Sequence, residues 1–168
     1  MSVWEIGCII GLGNSLGVID PLEFLSTLRR LTGPQDLVLV DGEIFIAHST
    51  MSGYDNPTNR RFAFAPLASI GLEEDRDGTL VFESTRDPRL EGLHLVSKHF
   101  LAARRLDIPL AGERLTLAAG EKIAMNCSYK YSRDAFRRIV SDHGFALHGE
   151  YISHDERFVM VLAAPGTP

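Results

Sequence analysis

The sequence predicts an α/β protein, on three observations. An apolar strand, a capped helix and a second apolar strand follow one another near the start; short strand patterns separated by turn dipeptides fill the middle; a capped helix and a two-stranded hairpin close the chain.

Ile6 to Leu12 is apolar without alternation, the pattern of a parallel strand buried on both faces. The loop Gly13-Asn14-Ser15-Leu16-Gly17 follows. Asp20-Pro21-Leu22-Glu23 reads as a helix start, with Asp20 as N-cap, Pro21 at the first helical position and Glu23 at the third. Leu22, Leu25, Leu28 and Leu31 give that helix one apolar face, and Gly33-Pro34 ends it. Asp36 to Ile46 is the second apolar strand of a β-α-β unit, whose crossover is expected to be right-handed. Tyr54 to Ile70 is mixed, with a short helix after Pro57. Thr79 to Ser84, Glu91 to Leu101 and Arg114 to Leu117 read as antiparallel strands joined by Asp-Gly, Asp-Pro and Ala-Gly turns, and Lys122 to Cys127 as another. Ser132 then caps a helix with Phe136, Ile139 and Val140 on its apolar face, closed by Gly144. Phe145 to Ile152 and Phe158 to Ala163 form a hairpin around Ser153-His154-Asp155-Glu156.

At 168 residues the chain is long enough for one domain with a real core. Hydrophobic residues at 45% and charged residues at 23% are ordinary for a globular protein, and apolar residues run throughout, against disorder. A net charge of -5 argues against a nucleic-acid partner. No apolar run reaches the ~18 residues that span a bilayer, and Met-Ser-Val-Trp-Glu lacks the features of a signal peptide. A cytoplasmic protein is expected, with Cys8 and Cys127 as buried free thiols.

Three motifs are candidates for chemistry. Gly11-Leu12-Gly13-Asn14-Ser15-Leu16-Gly17 follows a strand but misses the dinucleotide fingerprint by one residue, and Asp41 falls inside the next strand or just past its middle. Ser128-Tyr129-Lys130-Tyr131-Ser132 lies between a strand and a helix, where polar side chains can meet a ligand; a capped turn with exposed Tyr and Lys is the simpler reading. Tyr54-Asp55-Asn56-Pro57 reads by itself as an Asx-type turn. The six histidines show no helical metal-binding spacing, so no metal site is expected, and no G-x-S-x-G elbow is present.

Taken in order, these segments resemble the histidine-specific Nα-methyltransferase family of ergothioneine biosynthesis, which also includes fungal relatives acting on a prenylated tryptophan. Leu12 to Gly17 resembles the family's L-G-S-T-I-G segment, Leu37 to Asp41 its fifth strand, and Tyr54-Asp55-Asn56 its Y-D-D. His94-Leu95-Val96-Ser97 is similar to M-H-L-V-S, and Gly120-Glu121-Lys122-Ile123 with Ser128-Tyr129-Lys130-Tyr131 to G-E-x-I…E-x-S-x-K-Y. The resemblance covers residues 6 to 164. It implies the C-terminal half of a class I (Rossmann-like) S-adenosylmethionine-dependent methyltransferase sheet. On that reading residues 1–50 and 132–164 form the sheet core, and residues 51–131 an inserted antiparallel β-rich substrate-binding subdomain. It also implies that Tyr54 helps hold the substrate carboxylate and that Ser128 hydrogen-bonds the substrate ring. Asn14, Asn56, Asn126 and Tyr129 join them as substrate contacts, and Gly13 is the one cofactor contact expected.

Two departures change the expectation. Asn126 stands where the family has a glutamate, and Val18 where it has an asparagine. An amide offers only neutral hydrogen bonds to an imidazolium, so histidine itself is not the expected substrate; a small amine or aromatic amino-acid-like molecule, more apolar or neutral, is. Met1 also lies a few residues before what resembles strand four, whereas the family has some 150 residues ahead of it that carry the cofactor site. The expectation is N-methyl transfer with a partner chain that supplies S-adenosylmethionine. One alternative is acid–base chemistry without the cofactor (isomerisation, cyclisation or dehydration), with Tyr54, Asp55 and His94 as catalytic candidates beside Asn126 and Tyr129. A non-catalytic binding subunit is the other. A homodimer or heteromer is expected through segment 3–12, an uncharged strand without proline or lysine to guard its edge.

Overall fold

The computed structural model describes residues 7–166. The chain divides into two compact units, Met1–Ile46 with Thr85–Leu95 and Ser128–Pro168, and Ala47–Ser84 with Val96–Cys127. Segment 85–95, which the sequence placed in the insertion, sorts with the first unit.

The first unit is a mixed four-stranded sheet in the order β1-β2-β9-β8, with β1 Cys8–Gly11, β2 Leu37–Glu43, β8 Phe145–Ile152 and β9 Phe158–Pro165. β1 and β2 are parallel, with Ile10 opposite Leu39. β9 is antiparallel to β2 and β8, and Asp41, Met160 and Tyr151 share one row. α1 (Ser15–Val18) and α2 (Pro21–Leu31) connect the parallel pair, and α5 (Arg133–Asp142) precedes the hairpin. Helix α2 starts where the sequence predicts: the Asp20 carboxylate accepts from the amides of Leu22 and Glu23 at 3.0 and 3.2 Å. Ser132 caps α5 through Ala135, and Gly144 follows that helix at φ +80°. Leu16, Leu25, Leu28, Val38, Val40, Phe136, Ile139, Val140, Val159 and Val161 form the core on one face of the sheet.

Three expectations about burial are corrected. β1 is an edge strand, not a strand buried on both faces, and Ile10 is 60% exposed. Cys8 is therefore exposed on that edge, and Cys127 is exposed as well, so neither thiol is buried. Leu31 is 72% exposed, because α2 packs through Leu25 and Leu28 and its last residue lies beyond that contact. Residues 3–6 of the expected association segment lie outside the described residues.

The second unit holds α3 (Ala47–Tyr54), α4 (Pro57–Ser69) and most of a three-stranded sheet in the order β3-β4-β7, with β3 Gly78–Arg86, β4 Leu93–Ala102 and β7 Lys122–Tyr131. A separate hairpin pairs β5 (Leu106–Leu110) with β6 (Glu113–Leu117). Ala111 and Gly112 turn it at φ 50° and 86°, as a two-residue primed turn requires. The sequence missed α3 and β5, shortened α4, and ended β7 at Cys127, so Ser128 to Tyr131 lie within the strand. Phe64, Leu67, Leu80, Phe100, Leu106 and Ile108 form this unit's core.

Asp77 organises one corner of it. The carboxylate is 1% exposed and accepts from Arg76 at 2.8 Å, from the Glu73 amide at 2.9 Å and from Arg104 Nε at 3.0 Å. Arg76 foremost, then the Glu73 amide, and Arg104 hold its pKa well below the usual carboxylate range. A depressed folded value adds stability that is complete above the unfolded pKa of ~3.9 and is lost as the pH falls toward the folded value. Asp77→Asn should cost about 3 kcal/mol at neutral pH and flatten the stability profile below pH ~4, measured by urea unfolding across pH. An unchanged acid limb in the variant would disprove the assignment.

Candidate functional site

The residues singled out in the sequence fall in both units. Gly13, Asn14, His94, Ser128 and Tyr129 belong to the first; Tyr54, Asp55, Asn56 and Asn126 belong to the second.

In the first unit, Gly13 and Asn14 form the turn after β1, at φ 81° and 62°. Their amides both donate to Asp41, at 3.2 and 2.9 Å. The Asn14 side chain lies against Gly17, where an added Cβ would meet its amide nitrogen at 2.2 Å, and its Oδ1 is buried without a hydrogen-bond partner. Tyr131 donates to the Leu16 carbonyl and so ties the end of β7 to α1.

Tyr129 points its hydroxyl at Asp20, 3.2 Å away, with Arg89 at 3.5 Å. Arg89 also pairs with Asp20 at 2.7 Å and with Asp87 at 2.6 Å. Burial first, and then the Asp20 charge, push the Tyr129 hydroxyl up, so it remains a donor and a poor base. Ser128 is 7% exposed, and its hydroxyl is not among the buried polar atoms left without a hydrogen-bond partner. Lys130 is buried beside it in sequence and pairs with Glu43 at 2.5 Å. His94 stacks on Phe45 with ring centroids 4.0 Å apart and planes 11° apart. Burial, helped by Arg86, lowers its pKa, so the imidazole is neutral at pH 7. It lines a concavity of about 610 Å³ with Arg86, Glu91, Ser132, Asp134 and Arg138.

In the second unit, the corner between α3 and α4 is tightly bonded. Asn56 caps α4 by accepting from the Asn59 amide at 3.0 Å and donates to the Gly53 carbonyl at 2.7 Å. This is the work of the Asx-type turn read from the sequence. Asp55 is engaged by Arg60 at 2.7 Å, and Arg60 also reaches Glu74 at 2.8 Å. The Tyr54 ring carries the Lys98 ammonium 5.5 Å from its centroid. Asn126 is exposed on β7. Thus Gly13 and Asn14 share one carboxylate, while His94 and Tyr129 stand in separate arrangements within their unit. Asp41 was named in the sequence as an acid in an apolar strand, but not as the partner of this turn; Arg89 and Lys98 were not anticipated, and nothing local marked them.

S-adenosylmethionine is the cofactor that the resemblance implies. Gly13 has open space where a Cβ would stand, but the two amides of its turn are already taken by Asp41. The described residues therefore offer the cofactor an edge at Gly13 and no cradle, and by themselves do not fit it. No cluster of side chains able to hold a metal occurs among them.

Residues 90–165 match the family model of histidine-specific, S-adenosylmethionine-dependent methyltransferases. The match is partial and C-terminal. It contains the segments from His94 to Ser97 and from Gly120 to Tyr131 on which part of the sequence resemblance rests; Leu12 to Gly17, Leu37 to Asp41 and Tyr54 to Asn56 lie outside it. Among solved structures, an S-adenosylmethionine-dependent methyltransferase from Clostridium acetobutylicum is 8% identical, with 99% of this chain and 61% of that one covered and a TM-score of 0.46. The CcbJ methyltransferase from Streptomyces caelestis is 10% identical, with 99% and 61% covered and a TM-score of 0.44. The glycopeptide N-methyltransferase MtfA is 12% identical, with 95% and 54% covered and a TM-score of 0.39. The chain spans about three fifths of the length of the first two. Likenesses this faint say nothing of substrate or reaction. No curated protein matches the sequence. Among the described residues no helix is long and apolar enough to cross a membrane.

The Asp41 bridge can be tested directly. Asp41→Ala should release the Gly13–Asn14 turn, cost about 2 kcal/mol, and speed amide exchange at those two residues. Unchanged exchange there would show that the turn holds without the carboxylate.

Proposed function

We propose that these residues form the substrate side of a small-molecule N-methyltransferase that acts on an aromatic amine, with the cofactor held by residues outside this chain. The observation that supports this most is Ser128. Its side chain is largely buried, at 7% exposed, and its hydroxyl is not among the buried polar atoms left without a partner. It stands where the family resemblance puts a contact to the substrate ring, inside the segment that matches the family model. Ser128 presents a neutral hydrogen-bonding group, which suits an uncharged ring better than a cationic one. Tyr129 is a further substrate contact on this reading, and His94 is a candidate acid–base group.

Ser128→Ala should weaken binding of an aromatic amine such as tryptamine by ~1 kcal/mol or more, with little change in thermal stability. Equal loss of stability would assign the hydroxyl to the fold instead. The same calorimeter should find no S-adenosylmethionine binding to this chain tighter than ~1 mM. Micromolar binding would place the cofactor here and defeat the division of labour.

The partner is proposed to dock on the β1 edge, through segment 3–12. Cys8-Ile9-Ile10-Gly11 carries no charge, and Ile10, Leu12, Val18 and Ile19 are exposed beside it. A second copy closes this edge most simply, since one patch can complete itself, and is distinct from the chain proposed to hold the cofactor. Ile10→Lys should shift sedimentation toward monomer at low micromolar concentration; a wild-type chain that is already monomeric there rules the edge out.

A further inference from the structure

A cavity of about 370 Å³ lies within the second unit, and none of the substrate candidates lines it. It opens between the turn after α4, the segment ahead of β3 and the start of β5. Three arginines line it, Arg76, Arg104 and Arg105, with two carboxylates, Asp77 and Asp107. The wall thus carries one net positive charge in a chain whose net charge is -5. Leu72, Leu106 and Ile108 border it as well, but they are buried in the unit's core, so the surface turned to the cavity is polar.

Two of the guanidiniums are fixed before any ligand arrives. The buried Asp77 carboxylate accepts from Nε and from a terminal nitrogen of both Arg76 and Arg104. The Glu73 amide anchors that carboxylate in turn, at 2.9 Å. One buried anion therefore orients two cations, and neither can swing away without leaving it short of partners. The donors left over are not evenly spread. Arg76 gives its other terminal nitrogen to Glu73. Arg104 Nη1 meets the Arg105 carbonyl at a long 3.5 Å. Arg105 reaches the Asp107 carboxylate at 3.7 Å, beyond hydrogen-bond range, and Asp107 already accepts from the Thr116 hydroxyl at 2.6 Å. Arg104 and Arg105 thus bring unspent donors to one concavity, and both side chains are more than half exposed, within reach of a ligand from solvent.

A guanidinium presents its donors as a planar fork that matches the oxygens of a phosphate. A phosphate monoester offers three strong acceptor oxygens and close to two negative charges at neutral pH. We infer that this cavity binds the phosphate group of a small phosphate monoester, through Arg104 and Arg105, with Arg76 adding to the positive field. The space also admits an organic part, since small-molecule sites begin at ~300 Å³. The inference is independent of the proposed methyl transfer and gives the chain a second kind of ligand.

Calorimetry on the whole chain with glycerol 3-phosphate, inorganic phosphate and glycerol tests this. Glycerol 3-phosphate should bind with a Kd below ~1 mM, at least as tightly as inorganic phosphate, and glycerol should not bind. Arg105 takes no part in holding Asp77, so Arg105→Gln should weaken binding of the ester about tenfold with Tm unchanged. Arg104→Lys keeps the charge, loses the fork and should weaken it too. Arg138→Gln removes the same charge from the first unit and should leave the affinity as it was. No binding of the ester at ~10 mM overturns the inference. So does tighter binding of inorganic phosphate than of the ester, or a loss in Arg138→Gln as large as that in Arg105→Gln, which would reveal general attraction to positive charge.

Discussion

Much of the first unit depends on one packed contact, that of Tyr131 against Gly42 and Phe136. Tyr131 and Phe136 are fully buried and meet edge to face at 5.0 Å. They stand so close to β2 that a Cβ on Gly42 would come within 2.5 Å of Phe136 and 3.0 Å of Tyr131. The backbone of Tyr131 accepts from the Phe45 amide at 2.8 Å, and its hydroxyl reaches α1. One residue thereby joins β7, β2, α1 and α5. Without a glycine at position 42 the aromatic pair could not approach the sheet, and α5 would lose its seat.

This contact also explains which parts of the fold could be read from the sequence. Asp20, Ser132 and Gly144 act locally, through bonds to residues within a turn of themselves, and the helices they bound were read correctly. The parallel pair and the closing hairpin were readable from unbroken or alternating apolar runs. α3 was not, since Ala47 to Tyr54 has small and β-branched residues, no clear apolar face and only Thr50 buried. β5 was hidden by Pro109, which a two-stranded hairpin tolerates. Burial was the least readable property. Cys8 and Leu31 are apolar in apolar patterns, yet what lies across from them decides their exposure, and no local pattern reports that.

Of the candidate site, the sequence showed residue types and order but not partners. Asp55 and Asn56 look like chemistry in a motif and serve, in the structure, as an ion pair and a helix cap. Tyr129 looks free and is drawn to Asp20 and Arg89. Lys98 is the reverse: nothing in its sequence context marks it, and in the structure its ammonium lies 5.5 Å from the centre of the Tyr54 ring. Partners of this kind emerge only when every neighbour can be inspected.

The bridge from Asp41 to the turn after β1 has a consequence for how the chain finds its native pairing. Val38, Val40 and Gly42 face the core, and Leu39 and Asp41 face away. A slip of β2 by a single residue would turn the carboxylate inward and push the valines out. It would also strip the Gly13–Asn14 turn of both its acceptors. The apolar pattern of Leu37 to Val40 is nearly continuous and would punish such a slip only weakly. The charge at position 41 discriminates where hydrophobicity cannot: it can be satisfied in only one alignment, and so guards the nascent sheet against misfolding.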